Sequence, residues 1–359
     1  MYKSQFKATR FTGSYTDVAI LQPILSGDSS LEKTLLANLK ALPEVSFYWL
    51  IDRNDVEAQE LAKRLIVLCP KARVQLMLFD QAPEGVNPKV FKLEAAFDVC
   101  TQDYVLVLDD DTVLPELSLS ILLGALASAS LSTGLPSYTK GGNLASRFLA
   151  NFVNNNAELT YLSLLPWIKP VTINGMCYAL KYDTLARLGG FKAIRQHLTD
   201  DLAMAELILN SGGTIAQTPY RQVIETQLNT VSDYSRQMHR WYLFAHILFF
   251  KQQPLVRFFM LLLYALPPLL LFLAVLGFIL APSYLAVSAL SLMLIVRHFI
   301  LVCHSNKRLN WGAGDILVSF LSELVQPLHS LHASVKRDIR WRSRRYRVYA
   351  NDRFSDIDS

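Results

Sequence analysis

Cysteine is scarce in this chain of 359 residues: Cys69, Cys100, Cys177 and Cys303 stand far apart, with no CxxC pair. That spacing argues against both a zinc site and a disulfide framework, and suits a reducing compartment. Internal repeats and low-complexity linkers are missing too, and the length suits one large domain or two ordinary ones. The opening stretch "MYKSQFKATRFTGSYTD" is too polar for a signal peptide or leading anchor, so the first 250 residues are expected to stay in the cytosol. Charge is absent from Phe258 to Ala281, "FFMLLLYALPPLLLFLAVLGFILA", in a chain that is 52% hydrophobic. At about 1.5 Å per residue this run covers a hydrocarbon core of roughly 30 Å, whereas a buried soluble helix rarely runs so long without a polar face.

A second apolar run, Ser283 to Cys303, carries Arg297 and His298 near its end, where an arginine can snorkel to a cytosolic interface. Lys251 and Arg257 precede the pair, Lys307 and Arg308 follow it, and the link around Pro282 is uncharged. The positive-inside rule makes this a helical hairpin with both ends in the cytosol. A third segment, Ile316 to Val335, is interrupted by Glu323, Gln326, Pro327, His329 and His332 and is expected to be re-entrant or interfacial. The stretch "KRDIRWRSRRYR", Lys336 to Arg347, then holds seven cations against one aspartate, while the whole chain is only +5. Its balance of +6 leaves −1 for everything else, so the basic character belongs to one segment. An anionic leaflet or a phosphate-bearing ligand suits that segment; a nucleic acid partner is not expected. The expected organisation is a cytosolic domain over 1–250, a membrane region over 251–335 and a basic cytosolic tail over 336–359.

The first half alternates. Strands are expected at Val18–Leu25, Phe47–Asp52, Val74–Phe79 and Tyr104–Leu108, with helices at Leu31–Leu42, Val56–Leu68 and Val90–Cys100. That alternation implies a mostly parallel α/β sheet with helices on both faces, whose ligands bind beyond the carboxyl ends of the strands. Two acidic groups fall there, Asp52 after "FYWLI" and Asp109–Asp111 after "YVLVL". The second half is less regular. It offers a helix over Ala145–Ile168 interrupted by "NNN" and lying on the membrane, and a strand Met176–Leu180 followed by a short helix. Then come a helix opening at "DDLAMAELIL" and capped by Thr199, a strand Gly213–Pro219, and a helix Val231–Phe250.

Three like charges after a buried strand repel one another unless the turn is fully solvated or a cation joins them. Asp109 and Asp111 can share a hard divalent cation, Mg2+ or Mn2+, with a substrate diphosphate supplying further oxygens. Asp200–Asp201 opens a helix, where the macrodipole favours anions; it either caps that helix or places a general base in the cleft. In "QMHRW", Gln237 and Arg240 are three apart on one helix face, beside Trp241, and an arginine fork suits a diphosphate. A surface salt bridge and a core tryptophan would leave the same trace.

Taken in order, Asp52, Asp109-x-Asp111, Asp201 and Gln237-x-x-Arg240-Trp241 resemble the D, DxD, D, Q/RxxRW series of the family-2 type glycosyltransferases of GT-A fold. A closer resemblance is to the ceramide glucosyltransferase family. It is carried by "EGVNPKVFKL", "INGMCYALKYDTLARLGGF", "LTDDLAMAELILNSGG", "SRQMHRW" and "IRWRSRRYRV" and covers most of Val18 to Val348. The resemblance implies a GT-A, Rossmann-like domain followed by transmembrane helices, and transfer of a sugar, usually glucose, from a UDP donor to a lipid's primary hydroxyl with inversion. It implies that Asp52 binds the nucleotide, Asp109 the metal and diphosphate, and that Asp201 is the base. Gln237, Arg240 and Trp241 would hold the diphosphate and wall the acceptor site, and Lys89 of "NPK" could reach a phosphate.

This chain departs from the animal enzymes in having Thr133 where they have a histidine before "GLP", and in carrying the full Asp109-x-Asp111. The expected partners are thus a UDP-sugar, a ceramide-like acceptor and the bilayer, with diacylglycerol or a hopanoid as alternative acceptors. The expected place is a bacterial inner membrane, or the Golgi or ER in a eukaryote, with the catalytic part on the cytosolic face. Two rivals remain. "VLVLDDDTVL" fits the haloacid-dehalogenase phosphatase signature, with Asp109 as nucleophile, and a non-catalytic nucleotide-sugar sensor would bind without turnover.

Overall fold

The computed structural model describes residues 9–305, 313–341 and 344–357. Lys307, Arg308 and Arg342, three of the cations expected at the membrane flank and in the tail, lie outside them. The chain divides into two compact units. The first runs to Thr139 and takes in Leu165–Gln227 and Asn351–Ser355; the second holds Lys140–Leu164 and Leu228–Ala350.

An eight-stranded sheet forms the first unit. β1 (Val18–Ile24), β2 (Ser46–Asp52), β3 (Arg73–Phe79) and β4 (Tyr104–Leu108) are mutually parallel and alternate with α1 (Leu31–Ala41), α2 (Val56–Leu68) and α3 (Pro88–Val99). The sheet continues through β5 (Thr112–Val113), β6 (Leu131–Tyr138), β7 (Cys177–Lys181) and β8 (Ile215–Ile224), in the spatial order β3-β2-β1-β4-β7-β6-β8-β5. β7 runs antiparallel to both β4 and β6, while β6 and β8 are parallel. Helices α4 (Glu116–Ala125), α6 (Tyr182–Arg187) and α7 (Asp200–Asn210) complete this unit, and α5 (Leu144–Leu162) belongs to the second.

Strand alternation sorts the core into two layers. Leu21, Leu50, Val105 and Val107 pack with Val90, Leu93 and Phe97 of α3 and Met204 and Ile208 of α7. Ile20, Trp49, Ile51, Leu106 and Leu108 pack on the other face with Leu35 of α1, Leu65 of α2 and Leu122 of α4. Because β1, β2 and β4 are parallel and buried on both faces, their carboxyl ends emerge along one edge, and there the acidic residues collect.

The second unit is helical, with α5, α8 (Val231–Lys251), α9 (Pro254–Leu280), α10 (Tyr284–Ser305), α11 (Ala313–Leu324) and α12 (Gln326–Val335), followed by the antiparallel pair β9 (Asp338–Trp341) and β10 (Arg344–Ala350). α9 and the Tyr284–Cys303 part of α10 are the two helices, among the described residues, long and apolar enough to cross a membrane, and only 11% and 6% of their most apolar stretches are buried. Pro267 and Pro268 interrupt the hydrogen-bond ladder of α9, and the turn before them widens to a π-helix over Leu261–Ala265.

Three expectations change here, and one segment takes a form its sequence left open. The "NNN" run does not interrupt α5, because Asn156 Nδ2 donates back to the Phe152 carbonyl at 2.7 Å while Asn155 Nδ2 reaches Ser319 Oγ of α11 at 2.8 Å. Arg297 does not snorkel: its guanidinium pairs with Glu323 and donates to Ser319 Oγ at 2.8 Å. The segment Ile316–Val335 is two helices broken at Val325, neither long enough to cross a membrane. Thr199 stands at the N-cap of α7 but its side chain makes no capping bond.

Candidate active site

The three aspartates after β4 have three different jobs. Asp110 Oδ2 accepts the Leu25 N–H at 2.8 Å, tying the end of β1 to the turn. Asp109 Oδ1 pairs with Lys89 Nζ at 2.7 Å, and the Asp109 carbonyl lies 3.4 Å from Gln22 Nε2 of β1. Asp111 is held by Thr112 Oγ1 at 3.0 Å and by Thr226 Oγ1, the latter just past β8. Burial, then the charges of Asp109 and Asp110, push the Asp111 carboxyl up to about 7.

Lys89 joins two of the acidic groups. Its Nζ sits 2.7 Å from Asp109 and 3.0 Å from Asp200 Oδ2, with only 12% of its side chain exposed. Although burial alone would lower its pKa, the two carboxylates outweigh that and keep the ammonium firmly charged. One turn further along α3, Lys92 Nζ lies 3.0 Å from Asp52 Oδ1, at the end of β2. Two lysines three residues apart thus address acidic groups at the ends of two different strands, one from each side of β1. They share a face because Asn87 begins the helix: its Oδ1 accepts the Lys89 and Val90 N–H groups, and Pro88 occupies the first helical position.

Asp201 follows Asp200 at the start of α7. Its Oδ1 accepts the Leu202 N–H at 2.8 Å. Burial, then the neighbouring Asp200 charge, push the Asp201 carboxyl up to about 6; Lys89 acts in the opposite direction. Gly175 lies against it, so that a Cβ built there would stand 2.8 Å from Asp201 Oδ2. Glycine at 175 gives that carboxylate its space, and "INGM" is therefore a site element as well as the approach to β7. Thr133, the departure from the animal enzymes, is buried, and its hydroxyl is spent on the carbonyls of Cys177 at 3.0 Å and Asn174 at 3.3 Å.

Among the described residues no group of three or more His, Cys, Asp and Glu side chains is arranged to hold a metal ion. Mg2+ needs no such cage, since it commonly takes one or two carboxylates and completes its shell with water and substrate phosphate. Asp109 and Asp111 would supply such a pair, and a cation there would relieve the like-charge repulsion that adds to burial in raising Asp111. The donor set fits.

The sequence profile of Glycosyl transferase family 21 matches residues 1–354. The chain belongs to that family. Membership removes the phosphatase reading of "VLVLDDDTVL" and agrees with the resemblance to ceramide glucosyltransferases. Ceramide glucosyltransferase 1 of Caenorhabditis elegans is 22% identical over 232 residues, 62% of this chain and 48% of that protein. The match therefore spans about half the length of that relative. Among solved structures, the mannosyltransferase PcManGT from Pyrobaculum calidifontis, in complex with GDP-Man and Mn2+, superposes with a TM-score of 0.54 at 17% identity, covering 92% of this chain and 90% of that one. The fold of this family 21 chain is accordingly GT-A, a parallel-rich open sheet, followed by two apolar helices.

The structure thus brings Lys89, Asp109 and Asp200 into direct contact, with Asp201 adjoining Asp200. Asp52 is held separately, by Lys92. Gln237, Arg240 and Trp241 lie on α8 in the second unit. There Arg240 Nη2 donates to Gln237 Oε1 at 3.0 Å, as their spacing predicts, and Trp241 packs against Phe152 of α5, ring centroids 6.0 Å apart. Sequence reasoning missed Lys92, Gly175 and Asn87. Asn87 had a visible signal, since Asn-Pro is the start of a capped helix; Lys92 was visible only through its spacing from Lys89. Gly175 had no local signal, because its neighbour is 26 residues away.

Proposed function

We propose that this family 21 glycosyltransferase moves a sugar, glucose, from a UDP-sugar to the primary hydroxyl of a membrane lipid, ceramide, with inversion. The observation that carries the reading is the Asp109–Lys89–Asp200 chain with Asp201 at its end. It supports a base beside a phosphate-binding edge at the carboxyl ends of parallel strands. The C. elegans relative supports a ceramide acceptor.

In this reading Asp201 takes the proton of the lipid hydroxyl as that oxygen attacks the anomeric carbon from the face opposite UDP. The bond from the anomeric carbon to the β-phosphate oxygen breaks, and UDP leaves with the electron pair. Asp201 then returns its proton to solvent. A carboxyl raised to about 6 is ionised at neutral pH and more basic than an ordinary aspartate, which suits this work. Lys89 neutralises charge at the diphosphate, Asp52 recognises the nucleotide, and Gln237, Arg240 and Trp241 hold the diphosphate and wall the acceptor site. Asp109 and Asp111 would hold Mg2+ or Mn2+, which when bound screens the charge of the departing diphosphate. The apolar helices α9 and α10 anchor the chain in the bilayer where the acceptor resides, with the catalytic unit on the cytosolic side.

The direct experiment expresses the chain in a host lacking glycosphingolipids, with and without added ceramide, and analyses its lipids by mass spectrometry. Hexosylceramide that appears only with ceramide supports the reading. A hexosyl-diacylglycerol or hopanoid changes the acceptor, and UDP-sugar binding without any product leaves a sensor. Asp201→Asn should keep UDP-sugar binding while transfer falls by about 10²- to 10⁴-fold; near-normal turnover removes Asp201 as base. Excess EDTA should abolish transfer and added Mg2+ or Mn2+ restore it, whereas full activity in the chelator breaks the account of Asp109 and Asp111.

A further inference from the structure

The three residues before Asp200, His197 to Thr199, are gripped by two asparagines far from them in sequence. Asn87, 1% exposed, faces two ways: its Oδ1 caps α3 through the Lys89 and Val90 N–H groups, at 2.9 and 3.3 Å, while its Nδ2 donates to the carbonyls of His197 and Leu198, both at 2.9 Å. Asn351, also 1% exposed, comes from the turn after β10. Its Oδ1 accepts the Thr199 N–H at 2.7 Å and the Thr199 hydroxyl at 2.8 Å, and its Nδ2 donates to the Thr199 carbonyl at 3.1 Å. Its own carbonyl accepts the Leu198 N–H at 2.8 Å. The missing Thr199 cap is thereby explained, because that hydroxyl is committed to Asn351.

We infer that Asn87 and Asn351 are positioning residues for Asp201, a two-sided amide clamp that holds the backbone entering α7. The inference rests on the reading of Asp201 as base. Only a side chain carrying a fixed donor and a fixed acceptor fulfils either role. Asn87 also caps the helix that presents Lys89, so one residue locks the lysine and the Asp200–Asp201 segment to each other. Asn351 recruits the last part of the chain to the site, although the acidic residues all lie before residue 202. Misplacing a catalytic group by about 1 Å can cost on the order of 10²-fold, and the clamp guards against a displacement of that size.

The isosteric variants Asn351→Asp and Asn87→Asp are the cleanest test. Each keeps the accepting oxygen and replaces the donating NH2 with an oxygen that faces a carbonyl. In the whole chain, reconstituted with UDP-glucose and ceramide, each should lower kcat about 10- to 100-fold. Donor stoichiometry should stay near one per chain and both KM values should move by less than about threefold. Amide exchange at Leu198, whose N–H donates to the Asn351 carbonyl, should accelerate in Asn351→Asp as the new carboxylate oxygen is pushed off the Thr199 carbonyl. Because the clamp acts through Asp201, adding Asn351→Asp to Asp201→Asn should cost less than about threefold more; a further multiplicative loss would mean a general structural role and overturn the inference. So would kcat within about twofold of wild type in both aspartate variants. Asn351→Ala is the harsher substitution, and should it fail to fold the aspartate variants decide. If the wild-type chain transfers no sugar to any lipid, the transferase reading falls separately, and unchanged Leu198 exchange in Asn351→Asp then overturns the clamp.

Discussion

Lys89 lies within 3.0 Å of two carboxylates, and one ammonium shared in this way leaves the acidic cluster net negative. That excess charge is an affinity for cations and also a pKa effect, since Asp201 is raised by burial and by Asp200 and restrained by Lys89. A base must be deprotonated, so activity is retained above its pKa and lost as pH falls through it. The kcat/KM profile should therefore show an acidic limb near pH 6. Lys89→Met withdraws the restraining charge, and the limb should move to higher pH while donor affinity falls; Lys89→Arg should move it less. A limb that stays in place in Lys89→Met would separate Lys89 from Asp201. The adjacent aspartates coexist by a division of labour. Asp110 is neutral to function in this scheme and structural in effect, because it fastens the end of β1 through the Leu25 N–H.

At the scale of elements, α3 and the strand ends it faces do most of the organising. The parallel strands were legible because continuous apolar runs such as "YVLVL" and "FYWLI" have no other stable home than a sheet buried on both faces. β6 was not legible: "LSTGLPSY" contains glycine and proline and few β-branched residues, and only its pairing with β7 and β8 makes it a strand. β5, two residues long, is likewise decided by β8. For the site, the acidic residues and Lys89 could be read from pattern and resemblance. Gly175 and Asn351 could not, because each matters through a partner far away in sequence, and Lys92 showed only as a lysine spaced three residues from Lys89. Gly175 offers the sharpest check. The Cβ of Gly175→Ala would stand 2.8 Å from Asp201 Oδ2, closer than real contacts come, and 3.0 Å from its Cβ and Cγ, so either the strand entry or the carboxylate must move. Turnover should fall about 10-fold or more with UDP-sugar affinity held within a few-fold. Wild-type kcat in Gly175→Ala would show that the Asp201 position is not critical.

For the whole molecule, the two apolar helices pose the question of what solvent they meet. A core helix of a soluble protein would be largely covered, but Leu269, Leu270, Leu273 and Leu276 on α9 and Leu285, Leu292, Ile295 and Phe299 on α10 are all exposed. An apolar surface of that extent is stable in hydrocarbon and not in water. Within the same unit Arg297 and Glu323 neutralise each other, the arrangement in which a charge near lipid is affordable. If the pair forms a hairpin whose ends share the cytosol, the short link between Leu280 and Tyr284 must reach the opposite face. Replacing Cys69 and Cys303, the two cysteines that are not buried, with serine leaves a background in which Ser283→Cys reports that link. An impermeant maleimide should label Ser283→Cys from outside intact cells or from the lumen of sealed vesicles, while a cysteine in place of Ser232, at the start of α8, should be labelled only after the membrane is opened. Labelling of both from the same side would remove the hairpin. A chain released from membranes by alkaline carbonate would remove the spans themselves, leaving a peripheral enzyme that reaches its lipid through the basic tail alone.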